Sequence, residues 1–240
     1  MSDILYVVMP AYNEEENIES TVREWIEVLE GKDAESRLLV APSGSTDGTN
    51  EILERMQAEY PQLDILNGTM KQHGPKLIAL YRYATEKGAD YVFQTDSDGQ
   101  TNPGEFAEFW EHREENEVIL GWRKKRGDGI GRLWVEKVLC LIIRFFFNVK
   151  VKDANAPFRL MKREVLKKYL DRFEDDYNLP NVMLSVFWMY YKHTVSFVEI
   201  SFQRRKAGKN SINIKKIISI GLKALKEFGL YAKNMKNMES

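Results

Sequence analysis

Apolar residues along the chain come in two spacings, and the spacings alternate. Residues 4–9 form a short unbroken apolar run rich in β-formers, closed by Pro10, and predict a buried strand. From 14 to 29 the apolar positions Ile18, Val22, Trp25, Ile26 and Leu29 recur three and four apart, which predicts a helix. Residues 37–41 repeat the strand signature, and a turn-forming cluster follows over 42–49. Ile52, Leu53 and Met56 then carry a helix to Tyr60, with Pro61 just past its end. Residues 63–66 predict a third strand, 76–87 a third helix and 91–95 a fourth strand. Such alternation predicts a mainly parallel sheet with helices on both faces, whose ligands sit at the carboxyl ends of the strands.

The second half is less regular. Residues 118–121 predict another strand. Residues 121–132 carry Gly121, Gly127, Gly129 and Gly131 beside Arg123, Lys124, Lys125, Arg126 and Arg132, and predict a long basic loop. An apolar helix is expected over 133–147, a late strand over 197–202, a basic turn over 204–210, and a final helix from Ile214. With no internal repeat and no low-complexity linker, the expected division is one α/β domain over 1–212 and a helical appendage over 213–240.

Composition narrows the class. Hydrophobic content of 43% with 30% charged residues reads as globular, and a formal net charge of −1 excludes bulk attraction to nucleic acid. The single Cys140 rules out an internal disulfide and suits a buried thiol in a reducing compartment. The N-terminal run lacks the parts of a signal peptide. The longest apolar stretch, 138–149, is interrupted by Arg144 and Asn148 and falls short of the roughly 20 residues a membrane span needs. A cytoplasmic chain is expected. The final helix sets Ile214, Ile217, Ile218, Leu222, Leu225 and Phe228 against Lys215, Lys216, Lys223, Lys226, Lys233 and Lys236. That pattern fits a helix lying on an anionic membrane surface, and equally one packed on a protein core. The apolar run over 133–149 likewise fits a core helix, a membrane contact, or a homo-oligomer contact.

Polar clusters fall where the sheet's ligand should sit: Tyr12-Asn13-Glu14, Ser43 to Thr46, and Asp96 to Gln100. In extended backbone, residues two apart share a side, so Asp96 and Asp98 face one cation, with Gln100 adding a neutral oxygen. Hard oxygen ligands suit Mg²⁺ or Mn²⁺. The three histidines, His73, His112 and His193, form no zinc pattern with the lone cysteine. A solvated turn would carry the same Asp-x-Asp pair.

Five segments, in order, carry a resemblance. They are Val8-Met9-Pro10-Ala11-Tyr12-Asn13-Glu14, then Ser43-Gly44-Ser45-Thr46-Asp47-Gly48-Thr49, then Asp96-Ser97-Asp98-Gly99-Gln100. Asp153-Ala154-Asn155-Ala156-Pro157-Phe158-Arg159 and Arg205-Lys206-Ala207-Gly208-Lys209-Asn210-Ser211 follow. Together they resemble the family-2 glycosyltransferases of the GT-A fold. The last two resemble its polyprenyl-phosphate (dolichyl-phosphate mannose synthase-like) branch. The resemblance implies a Rossmann-like, mainly parallel α/β sheet with an amphipathic C-terminal helix, and a nucleotide-sugar donor. It implies that Pro10, Tyr12 and Glu14 line the base and ribose pocket, that Asp96 sits beside the donor, and that Asp98 with Gln100 holds the metal on the diphosphate. Arg205 and the basic loop that starts at Arg123 would meet phosphates. One departure stands out: the family usually places an acid just before the Gly-Ser-Thr-Asp-Gly-Thr turn, and this chain has Pro42 and Ser43. A hydroxyl accepts from a base less strongly than a carboxylate, so UDP and GDP both stay open. Pro157 is a second departure, where Gly is usual.

The chemistry follows from the leaving group. Departure of a nucleoside diphosphate puts charge on phosphate oxygens, which a cation and nearby Arg or Lys stabilise. The family is inverting, which implies one in-line displacement. A sugar-hydroxyl acceptor needs a base; a phosphate monoester, with a second pKa of about 6, is already ionised. Asp153 is the candidate on the acceptor side, as base or as organiser, although the residue alone also fits a helix N-cap before Phe158. Asp175 and Asp176 are alternative bases. The expected function is transfer of a hexose from a UDP- or GDP-sugar to a polyprenyl phosphate, with peripheral membrane contact at the cytoplasmic face. Transfer to a sugar hydroxyl of a glycan comes next, then nucleotidyl transfer, then non-catalytic nucleotide-sugar binding.

Overall fold

The computed structural model describes residues 2–124, 130–203 and 214–237; of residues 130–132, 214–223 and 236–237 the backbone alone is described. The first half alternates as its periodicity predicts. β1 (Leu5–Pro10), α1 (Ile18–Val28), β2 (Arg37–Ala41), α2 (Thr49–Glu59), β3 (Leu63–Ile65), α3 (His73–Glu86) and β4 (Tyr91–Gln94) follow one another. After a short turn of helix at Pro103–Glu105 come α4 (Phe106–Glu111), β5 (Val118–Trp122) and α5 (Ile130–Phe147). β6 (Arg159–Lys162), α6 (Arg163–Leu170), α7 (Pro180–Tyr190), β7 (Val195–Glu199) and α8 (Ile214–Asn237) complete the chain.

The strands form one seven-stranded sheet in the order β3-β2-β1-β4-β6-β5-β7. β6 runs antiparallel to both β4 and β5, and the other pairings are parallel. Alternation along the strands feeds two cores. Leu5, Val7 and Met9 of β1 face one side with Leu38, Val40 and Phe93, under α1, α2 and α4. Tyr6 and Val8 face the other with Leu39, Val92 and Leu120, under α3, α5, α6, α7 and α8. Burial on both faces is what makes the parallel strands read as continuous apolar runs.

Several expectations change. Residues 14–17 are a turn before α1: Glu14 O receives the N–H groups of Asn17 (2.9 Å) and Ile18 (2.8 Å). The strand expected over 118–121 runs on to Trp122 as β5, and its Gly121 pairs with Val198. A Cβ there would lie 2.8 Å from Ile200 Cδ1 and 2.9 Å from Phe158 O, so the close approach of β6 requires glycine. No helix starts behind Asp153. The chain instead enters β6, whose first residue, Arg159, is fully buried. The late strand ends at Glu199 rather than Phe202. α6 and α7 are further elements without an expectation. α8 sets Ala224, Phe228 and Met235 into the core, with Phe228 5.8 Å from the Phe147 ring of α5. Lys226, Leu230 and Lys233 face outward.

Candidate active site

From β1 the sheet grows to β2 and β3 on one side and to β4 on the other. This reversal opens a crevice past the carboxyl ends of β1 and β4, where open α/β sheets place their ligands. Ser97, just past β4, is buried and donates its hydroxyl to Pro10 O (3.0 Å). It ties the two strand ends together. Asp96 and Asp98 flank it and are half-exposed. The backbone over 97–99 is a bend rather than the extended run expected there. The Asp98 Oδ1 accepts the Gln100 N–H (3.1 Å) around Gly99, whose φ of 68° favours glycine. Gln100 is buried, donates its side-chain amide to Gln203 O (2.7 Å), and its own carbonyl receives the Gln203 N–H (2.9 Å). It anchors the chain leaving β7 beside the carboxylate turn.

The loop after β1 is laced to the loop after β2. Asn13, at φ 55°, accepts the Thr46 N–H on Oδ1 (2.8 Å), and its own N–H donates to Ser45 Oγ (3.1 Å). The Glu14 N–H donates to Thr49 Oγ1 (2.9 Å). Gly48 N–H donates to Glu15 Oε2 (2.8 Å), so Glu15 is a structural strut rather than a bystander at a helix start. Glu14 is buried, with Asn17 Nδ2 donating to its carboxylate (3.0 Å). Ser43 Oγ accepts the Thr69 N–H (3.1 Å). The Tyr12 ring has Lys71 Nζ at 4.7 Å and Lys76 Nζ at 5.5 Å from its centre, both within cation–π range. Lys76 is 1% exposed, donates to Ala11 O, and has its pKa pulled down to about 8 by burial and by the Lys71 charge. His73, at the head of α3, lies within electrostatic reach of Asp98 and Lys76.

Asp153 is held differently. It is 2% exposed, and both oxygens are taken by Arg123: Nε to Oδ2 at 2.7 Å and Nη2 to Oδ1 at 2.8 Å. The same guanidinium donates to Asn155 O (3.0 Å) and lies 5.0 Å from the Phe202 ring centre. Burial works against the Arg123 cation, but the Asp153 carboxylate outweighs it and the pKa rises. The residues expected to serve as base and as phosphate ligand are thus bound to each other. Arg205 lies outside the described residues, as does most of the basic loop after Lys124.

Pro10, Tyr12, Ser43, Asp96, Asp98 and Gln100 all lie at or just past the carboxyl ends of β1, β2 and β4, with Lys71 and Lys76 at the Tyr12 ring and His73 within electrostatic reach of Asp98. Lys76 had a signal: a lysine inside the apolar run Pro75-Lys76-Leu77-Ile78. His73 had none. Among the described residues no group of three His, Cys, Asp or Glu gathers to hold a metal. The two carboxylates at this half-exposed turn are hard oxygen donors, while Gln100 is buried with its amide turned to Gln203 O. The pair fits Mg²⁺ or Mn²⁺ sharing its remaining positions with a ligand's phosphates. Among the described residues, no helix is long and apolar enough to cross a membrane.

A GT-A-type sheet with a carboxylate pair at its switch point defines the class. The chain belongs to glycosyl transferase family 2, whose model matches residues 6–170. Polyprenol monophosphomannose synthase of Mycolicibacterium smegmatis is 24% identical over 217 residues, covering 86% of this chain and 80% of that protein. Undecaprenyl-phosphate mannosyltransferase of Micrococcus luteus is 25% identical over 166 residues, 67% of each. Among solved structures, glucosyl-3-phosphoglycerate synthase of Mycobacterium tuberculosis with phosphoglyceric acid superposes with a TM-score of 0.67 at 18% identity, covering 96% of this chain and 80% of that one. The same enzyme with Mn²⁺, UDP and glucosyl-3-phosphoglycerate gives 0.62.

Proposed function

We propose that this glycosyltransferase moves a hexose from a nucleotide sugar to a polyprenyl phosphate. The observation that carries the reading is the half-exposed Asp96–Asp98 pair at the switch point. The relatives' names supply the acceptor class. Tyr12 and Ser43 line the base side of the crevice, with Pro10 and Glu14 shaping it from below. Asp96 lies beside the donor sugar. Asp98, with the Gln100 oxygen, holds the divalent cation, which when bound neutralises charge growing on the diphosphate. Asp153 and Arg123 organise the acceptor side as a fixed pair. A phosphate acceptor needs no base, so a carboxylate committed to an arginine is compatible with this chemistry. Arg205 remains assigned to phosphate contact. Residues 1–212 serve as the catalytic domain, with α8 bracing it.

The acceptor lipid requires a membrane face, and α5 offers one. Trp134, Val138, Leu141 and Phe145 recur at helical spacing and are exposed, Phe145 by 85%. Exposed Lys137 and Arg144 flank them. An apolar stripe edged by cations suits an anionic lipid surface. Leu141→Glu with Phe145→Glu should weaken binding to phosphatidylglycerol vesicles by on the order of 10-fold or more; unchanged binding removes α5 from the membrane.

The reading is tested by thermal shift with UDP- and GDP-sugars, with and without Mn²⁺, followed by product analysis with a polyprenyl phosphate. Metal-dependent stabilisation and release of a nucleoside diphosphate are expected. Release of pyrophosphate would make the chain a nucleotidyltransferase, and no stabilisation by any nucleotide sugar sinks the donor site.

A further inference from the structure

A chain of buried amides ends on Asp96. The Tyr81 hydroxyl donates to Asn181 Oδ1 (2.7 Å), Asn181 Nδ2 donates to Gln94 Oε1 (3.0 Å), and Gln94 Nε2 donates to Asp96 Oδ1 (3.2 Å). Tyr81 and Gln94 are fully buried and Asn181 is 2% exposed. Three elements contribute: α3, α7 and β4. The direction of this chain is fixed from its charged end. An ionised carboxylate only accepts, so Gln94 must turn its NH₂ to Asp96 and its oxygen to Asn181. Asn181 must then turn its NH₂ to Gln94 and its oxygen to Tyr81, which is left to donate. Burial raises the Tyr81 pKa, so the phenol keeps the proton it gives. The Asn181 backbone is pinned as well, its carbonyl receiving Arg159 Nη1 (3.1 Å) and the Ser185 hydroxyl (2.9 Å).

We propose that Gln94 and Asn181 are positioning residues: a one-way amide relay that fixes one oxygen of Asp96, and with it the angle at which the carboxylate meets the metal-bound donor. The proposal rests on the donor-site reading above. It goes beyond that reading in assigning function to two buried, uncharged side chains remote from the crevice surface. Groups that orient a metal-site carboxylate typically change affinity or activity by about 10–100-fold when removed.

The test uses the full chain and isothermal titration calorimetry with UDP-glucose and GDP-mannose, each with Mn²⁺, keeping whichever binds the unsubstituted protein. Gln94→Met should weaken that binding about 10–100-fold. Tyr81→Phe leaves the relay's direction to Asp96 and should lower Tm without changing affinity, which separates positioning from packing. Asn181→Leu keeps nearly the same volume and offers no donor to Gln94 Oε1. Gln94 then loses the partner that sets its orientation, so binding should fall toward that of Gln94→Met. This second variant decides the matter if Gln94→Met does not fold. Unchanged affinity in both Gln94→Met and Asn181→Leu overturns the relay, and so does an equal loss in Tyr81→Phe. Asp98→Asn run alongside separates the two readings. If it abolishes binding while the relay variants bind normally, only the relay is wrong. If it too binds normally, the donor-site reading fails and the relay goes with it.

Discussion

Two acidic sites border the same end of the sheet and are built in opposite ways. Asp96 and Asp98 stand half-exposed on a turn, with buried Ser97 between them holding the turn to β1. Asp153 is sealed, with both oxygens on the Arg123 guanidinium. In the proposed function the half-exposed pair is the one that meets a cation. A sealed ion pair has already spent its charge on a neighbour, and breaking it leaves an uncompensated buried cation. The same residue type is thus half-exposed on a turn at one site and locked in a buried ion pair at the other.

The largest expected effect lies at the open site. Asp98→Asn should lower turnover by about 10²–10³-fold while leaving Tm near that of the parent chain. Chelation of divalent metal should do the same reversibly. At the sealed site the balance inverts. Asp153→Asn should cost about 3–5 kcal/mol of stability, read as a fall in Tm. The double change Asp153→Leu with Arg123→Leu should recover much of that loss, because removing both charges is far cheaper than removing one. If Asp153→Asn instead kept its Tm and lost turnover only on a hydroxyl acceptor, Asp153 would be a base and the comparison would collapse.

Much of this was legible in the sequence where one physical rule acts alone. β1 to β4 and the first three helices follow from periodicity, and the carboxylate turn follows from the strand before it. What was not legible depends on long-range contact. β6 is four residues long and opens on a fully buried arginine, satisfied by the Ala156 and Asn181 carbonyls. No alternation rule finds a strand that starts on a charge. α7 is buried from Pro180 to Trp188, so it has no polar face to set a helical period. Asp153 reads as a general base, an organiser of the acceptor side or a helix cap in isolation. Only the pairing of β5 with β6 brings Arg123 onto it.

A smaller effect is expected at Ser43, on the base side of the open site. Ser43 Oγ accepts the Thr69 N–H and keeps its own proton to donate. Lys71 and Lys76 add further donors beside Tyr12. A rim of donors favours a base edge rich in acceptors, and uracil presents two carbonyls where guanine presents two N–H donors. UDP should therefore bind more tightly than GDP. Ser43→Asp should move that preference toward GDP by about tenfold, the worth of one hydrogen bond to a charged group. A preference that stays put would detach Ser43 from base recognition.

The smallest effect contrasts two of the buried cations, Arg123 and Lys76. Arg123 has a carboxylate partner, and its pKa rises. Lys76 meets the Ala11 carbonyl and the Tyr12 ring, both neutral, and its pKa falls to about 8 from an ordinary 10.5. Between those values the unfolded chain binds the proton that the folded chain has released, so stability rises with pH across that window. Below pH 8 both states are protonated and the cost of burying the charge is fully present. Lys76→Met removes the charge and should flatten this contribution. In paired denaturant titrations the variant's advantage over the parent should be greatest below pH 8 and should shrink toward pH 10. A constant difference across that range would mean that Lys76 stays charged in the folded protein, and that its two neutral partners hold a cation as well as Asp153 does.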